Sequence, residues 1–141
     1  MSRSAFIASR QRVETISSDK TIASAETGEL YFIDGSDDVV ITLPAVQSGA
    51  YFKFMISVAV GSGKTVVIKS NAANVLMDGY LVQESATGEI DALSQSNASD
   101  KDKVTFGSSV TAGSWLECYS DGTKWLCTGR ATAGTIAFGD Q

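Results

Sequence analysis

VAVGSGKTVVI, residues 58–68, ends a glycine-rich run in Gly-Lys-Thr, and two incompatible folds can be built on it. A phosphate-cradling loop needs G-x-x-x-x-G-K-[ST] after a strand and before a helix whose N-terminal N–H groups hold the phosphates. Counting back from Gly63 puts the first glycine of that motif at position 58, where the chain has Val58. Thr65-Val66-Val67-Ile68 then follows, β-branched and alternating, so the chain continues as a strand rather than a helix. Gly61-Ser62-Gly63 is therefore expected to be a hairpin turn, with glycine supplying the positive φ that tight turns require. The stretch belongs to an all-β chain and is not a nucleotide site.

The same rhythm runs outward in both directions. In YFKFMISVAV (51–60), Phe52, Phe54, Ile56, Val58 and Val60 alternate with Tyr51, Lys53, Met55, Ser57 and Ala59, which is a half-buried strand. Upstream, Glu26-Thr27-Gly28 and the run Asp34 to Asp38 are turn clusters, and Pro44 ends the strand VVITL. Downstream, NVLMDGY (74–80), KVTFGSSV (103–110) and TIAFGDQ (135–141) each carry a short strand. In GSWLECYSDGTKWLCTGR (113–130), Asp121-Gly122 reads as a two-residue type I′ hairpin loop. That loop would set Tyr119 opposite Lys124, Cys118 opposite Trp125 and Leu116 opposite Cys127. Residues 81–102 are acidic and weakly patterned, and are expected to form an excursion loop. Residues 1–19 show no period, with Phe6, Ile7, Val13 and Ile16 as apolar islands, and read as an extended N-terminal arm that orders on a partner. Residues 20–141 then make one compact antiparallel β-sandwich or barrel of about nine strands.

Composition narrows what such a domain can do. At 141 residues with 43% apolar side chains, a real core forms without metal or disulfide staples. The net charge of −5 argues against direct nucleic-acid binding, which needs clustered cations. The charge is uneven, since Arg3, Arg10 and Arg12 all precede the first acid, Glu14. No apolar run approaches the length of a membrane span, and no signal peptide is evident, so Asn97-Ala98-Ser99 is expected to be a chance glycosylation match. The chain has no histidine, which removes the commonest general base and the commonest transition-metal ligand.

The remaining constellations each have a bland and a sharp interpretation. Cys118 and Cys127 share one face of the hairpin as diagonal neighbours, a borderline separation for a disulfide. Reduced thiols packed beside Leu116 and Trp125 are the default, with a disulfide as the alternative. Asp34, Asp37 and Asp38 have oxygen ligands enough for calcium but no recognised spacing, and acid-rich turns are common. Glu84, Glu89, Asp91 and Glu117 show no spacing that marks a glycosidase pair. Trp115, Trp125, Tyr119 and Tyr31 are core or interface aromatics, or else a sugar-stacking platform. No catalytic residue, metal or cofactor is expected, and the chain should work by contact.

TIASAETGELYFIDGSDDVVITLPAVQSGAYFKF (21–54) resembles a pattern of small virion proteins of tailed bacteriophages: a threonine, a glycine before an aromatic strand, ITLP, then a glycine and a second aromatic strand. AGSWLECYSDGTKWLCTG (112–129) is similar to their closing hairpin, in which an SDG turn leads to a tryptophan. With the strands between them, the two blocks span roughly residues 20–80 and 103–138. The resemblance is to capsid decoration, or cement, proteins. It implies a non-enzymatic homotrimer made in the host cytoplasm and seated on the outer capsid surface, bridging subunits of the major capsid protein. The arm would then add a strand to a capsid subunit, Phe6, Ile7 and Val13 anchoring it and Arg3, Arg10 and Arg12 meeting capsid acids. The alternative is a receptor- or glycan-binding module of a head fibre, tail fibre or tailspike, with Trp115 or Trp125 in an exposed platform.

Overall fold

A computed structural model describes residues 11–96 and 100–141. The period-two pattern of the sequence is realised strand after strand. In order these are β1 (Val13–Ile16), β2 (Lys20–Thr21), β3 (Leu30–Asp34), β4 (Val39–Thr42), β5 (Tyr51–Val58) and β6 (Val66–Lys69). They continue with β7 (Met77–Glu84), β8 (Ile90–Ser96), β9 (Lys103–Phe106), β10 (Trp115–Ser120), β11 (Trp125–Thr132) and β12 (Ile136–Gly139). A seven-stranded sheet has the order β1-β3-β5-β10-β11-β7-β8, and a five-stranded sheet the order β12-β9-β6-β4-β2. The inward residues of both, among them Tyr31, Phe52, Phe54, Ile68, Phe106 and Trp125, make one buried core. The protein is an all-β sandwich of two mixed sheets.

Its first seven strands alternate between the sheets. Strands β1, β3, β5 and β7 lie in one sheet and β2, β4 and β6 in the other. A chain that crosses the core after every strand returns to each sheet in the same direction. Hence β1–β3, β3–β5, β2–β4 and β4–β6 pair in parallel, where antiparallel pairing was expected. The turn residues were legible, but a turn joining two sheets and a hairpin turn use the same glycines and acids. Gly61-Ser62-Gly63 is such a case: Gly63 has φ +71° and Lys64 N–H donates to Gly61 C=O, yet β5 and β6 sit in different sheets. Successive crossings stack. Gly35 N–H donates to Val58 C=O and Gly61 N–H to Gly35 C=O. Asp19 accepts the Val40 N–H at 2.8 Å, and Asp38, at the next crossing in the same direction, accepts the Thr65 N–H at 2.8 Å.

Three further expectations are corrected. The region 1–19 is not wholly a free arm: β1 lies on the edge of the seven-stranded sheet and Ile16 is buried in the core. Isoleucine at 16 is what gives that strand a place to anchor, since it lands beside Ile33. Residues 81–102 are no excursion loop, because β7 and β8 form an antiparallel hairpin closed by a turn at 85–88. The β10–β11 turn takes four residues rather than two, so Cys118 stands opposite Cys127 and Ser120 opposite Trp125. That slip of two residues leaves every side chain on its expected face, because the side-chain period is also two.

Asp121 is the reason for the longer turn. Its carboxylate accepts from Thr123 N–H and Oγ1 and from Lys124 N–H at 2.8, 2.8 and 3.0 Å. These backbone donors hold its pKa down to about 2 against an ordinary 3.8. A depressed carboxylate contributes stability that is complete above the unfolded value and lost as pH falls through the folded one. Asp121→Ala should therefore narrow the gap between melting temperatures at pH 5 and at pH about 2. An unchanged gap in acid thermal melts would remove this role.

Candidate functional site

Each sheet has one face in the core and one outward, and the two outward faces differ in chemistry. The five-stranded sheet presents Val40, Thr42, Val67, Lys69, Lys103 and Thr105, half-buried, with Thr21 and Ala137 exposed. The seven-stranded sheet carries every large exposed hydrophobic residue among the described ones: Val13, Tyr51, Val58, Tyr80, Ile90, Leu93, Tyr119 and Leu126. Register sets most of these in rows across the sheet. One row runs Tyr51–Tyr119–Leu126, and the next runs Val13–Leu30–Lys53–Glu117–Thr128–Tyr80. A third runs Phe32–Met55–Trp115–Arg130–Val82–Leu93.

The charges within these rows are already matched. Lys53 Nζ lies 3.2 Å from Glu117 and 5.5 Å from the centre of the Trp115 ring. Lys124 Nζ meets Asp78 at 2.7 Å, which raises the lysine pKa, and Arg130 pairs with the largely buried Glu84. The Tyr119 hydroxyl donates to Glu117 at 3.1 Å, and the Tyr119 ring stacks on Tyr51 with centroids 6.0 Å apart. Partial burial and the neighbouring Glu117 push the Tyr119 pKa up, so it stays a neutral donor. The result is an aromatic surface with three internal ion pairs, on a chain whose overall charge is −5.

The residues singled out by sequence divide cleanly. Trp115 and Tyr119 reach the outer face, whereas Trp125 and Tyr31 have no exposed surface and pack on Phe52 and Phe54. An aromatic platform built from all four does not exist. Cys118 and Cys127 are buried free thiols with Sγ atoms 3.4 Å apart, and burial holds the Cys118 thiol well above its usual pKa. Val13 belongs to β1, and the Arg12 guanidinium lies 3.9 Å from Glu29. Arg3, Phe6, Ile7 and Arg10 lie outside the described residues, as does the Asn97-Ala98-Ser99 sequon.

The acids have local work. Asp34 accepts the Ser36 N–H, and Asp37 and Asp38 pair with Lys64 at 3.1 and 3.5 Å. Glu84 and Glu117 face different cations, and Glu89 and Asp91 are exposed at the β7–β8 end. Glu14, Glu26 and Glu29 gather at one edge, with Lys20 Nζ 2.8 Å from Glu14 and 3.2 Å from Glu26. Burial disfavours charge on Lys20, but those two carboxylates outweigh it and leave its pKa raised. Tyr80 and Leu126 were missed as surface residues. Their signal was a bulky side chain at the outward parity of an alternating strand.

Among the described residues no helix is long and apolar enough to cross a membrane. Comparison with protein-family models, curated proteins and solved structures finds no match to the chain.

Proposed function

We propose that the protein is a non-enzymatic virion structural protein, a decoration protein that sits as a trimer on the outside of a tailed-phage capsid and ties neighbouring shell subunits together. The observation that carries this is the confinement of the large exposed hydrophobics, among the described residues, to the strands of one sheet. Tyrosine, tryptophan and arginine dominate the energetics of protein interfaces, and here they share one sheet face. Its three ion pairs are formed before any partner arrives, so covering them leaves neither member of a pair unmatched. Stacked strand crossings and a continuous core make the face rigid, which lowers the ordering cost of docking.

Three copies held together would engage three sites at once, and effective concentration turns modest single contacts into a durable clamp. Shell opening under internal DNA pressure then has to break several contacts together. The arm contribution shrinks to the residues before β1, so Arg3, Phe6, Ile7, Arg10 and Arg12 remain proposed capsid contacts while Val13 acts from the sheet edge.

A second function is favoured by one feature, the exposed Tyr51–Tyr119 stack beside Glu117 and Thr128, which suits sugar stacking in a fibre or spike module. Pelleting separates the two. Full-length protein mixed with purified phage shells that lack it should sediment with them and saturate at a fixed copy number per shell, and should ignore host polysaccharide. Binding to polysaccharide without binding to shells would select the fibre module and reject decoration.

A further inference from the structure

The two cysteines stand directly opposite each other on adjacent antiparallel strands near the centre of the seven-stranded sheet. The phase of the ladder fixes what kind of pair they are. Ser120 N–H donates to Ala50 C=O and Trp125 N–H to Leu76 C=O, so at the Ser120–Trp125 pair the main-chain groups point away from each other. Two residues along, Cys118–Cys127 has the same phase and is a non-hydrogen-bonded pair, where opposed Cα atoms approach to about 4.5 Å. That lies within the Cα range of about 4.4–6.8 Å that a disulfide spans. With Sγ atoms 3.4 Å apart, each sulfur needs to travel only about 0.7 Å to reach bonding distance. Gly79, beside Cys127 on β7, adds no side chain to obstruct that movement.

We propose that Cys118 and Cys127 form an intramolecular disulfide site whose state is set by the medium in which the chain folds. The oxidant is a small disulfide such as oxidised glutathione. One cysteine thiolate attacks a sulfur of that molecule, forming a mixed disulfide and expelling one small thiolate. The second cysteine thiolate then attacks the protein sulfur of the mixed disulfide, forming the Sγ–Sγ bond and expelling the second. The protein loses two electrons, the small disulfide gains them, and the two thiol protons end on the released thiols. In the folded chain Cys118 is fully buried, so exchange belongs to the folding chain rather than the finished domain. The bond would fasten β10 to β11 beneath Trp115, Tyr119 and Leu126, and it holds whether or not those residues dock on a capsid.

The test refolds the full chain from denaturant in reduced or in oxidised glutathione. The oxidised sample should have no titratable thiol, an intact mass lower by two hydrogens, and monomer mobility on a non-reducing gel. Its melting temperature should rise by about 8 °C over the reduced sample, as closing a short loop gives, and fall back after full reduction. Two free thiols after oxidative refolding, a bond between chains, or a melting temperature equal to or below that of the reduced form would each overturn the proposal.

Discussion

Gly79→Ala should lower the melting temperature by about 12 °C or abolish folding, an effect of about 4 kcal/mol for one added methyl group. Gly79 has φ +144°, a conformation that side chains disfavour. More decisively, a Cβ there would lie 1.8 Å from the Cys127 carbonyl oxygen and 2.7 Å from its carbon. Both are main-chain atoms, so no rotamer change relieves the clash. Strand β7 would have to move off β11, and that parallel pairing runs over eight residue pairs, from Trp125–Met77 to Thr132–Glu84. The hairpin partner β8 hangs on β7 and would move with it. Gly88→Ala is the matched comparison: φ is +86°, but nothing lies within 4 Å of the added carbon. It should cost only about 1 kcal/mol, or about 3 °C, from left-handed backbone strain alone. Equal shifts for the two variants in thermal melts would show that the β7–β11 contact is not tight.

The sequence made the strands and their faces readable because alternation is a local property. Phe52, Phe54 and Ile56 could be assigned inward, and Tyr51 and Lys53 outward, from parity alone. Connectivity was not local. Whether the turn after Val58 folds back within a sheet or crosses the core depends on where β6 finds hydrogen-bond partners, and those are on β4 and β9, far away in the chain. The four-residue turn at Asp121 hid behind Asp-Gly, because nothing in the dipeptide reveals that the carboxylate will gather Thr123 and Lys124. β1 was hidden for a related reason: four residues with a single buried member, Ile16, give no period to detect. β8 lacked a signal because its apolar residues, Ile90 and Leu93, are exposed and broken in phase by a bulge opposite Gln83 and Glu84. Of the candidate site, Trp115 and Tyr119 were visible as hairpin aromatics. Leu126 joins them through the same hairpin, but their union with Tyr80 needed the parallel β7–β11 pairing that the sequence does not announce.

The larger functional effect is expected from Trp115→Thr combined with Tyr119→Thr. Both side chains project from β10 on the outer face, one under the Lys53 ammonium and the other stacked on Tyr51. Threonine keeps strand propensity, and neither ring belongs to the buried core, so the fold should survive. What disappears is the aromatic centre of the surface. Two interface aromatics at roughly 1.5 kcal/mol each amount to a loss of about 100-fold in affinity. Thr42→Ala with Lys69→Ala on the opposite sheet is the control and should leave binding unchanged. The deciding measurement is the dissociation constant of each folded variant for purified capsid shells. Docking through the seven-stranded sheet requires a weakening of about 100-fold for the Trp115 and Tyr119 pair alone; full affinity in that variant, or a loss confined to the Thr42 and Lys69 pair, would contradict it.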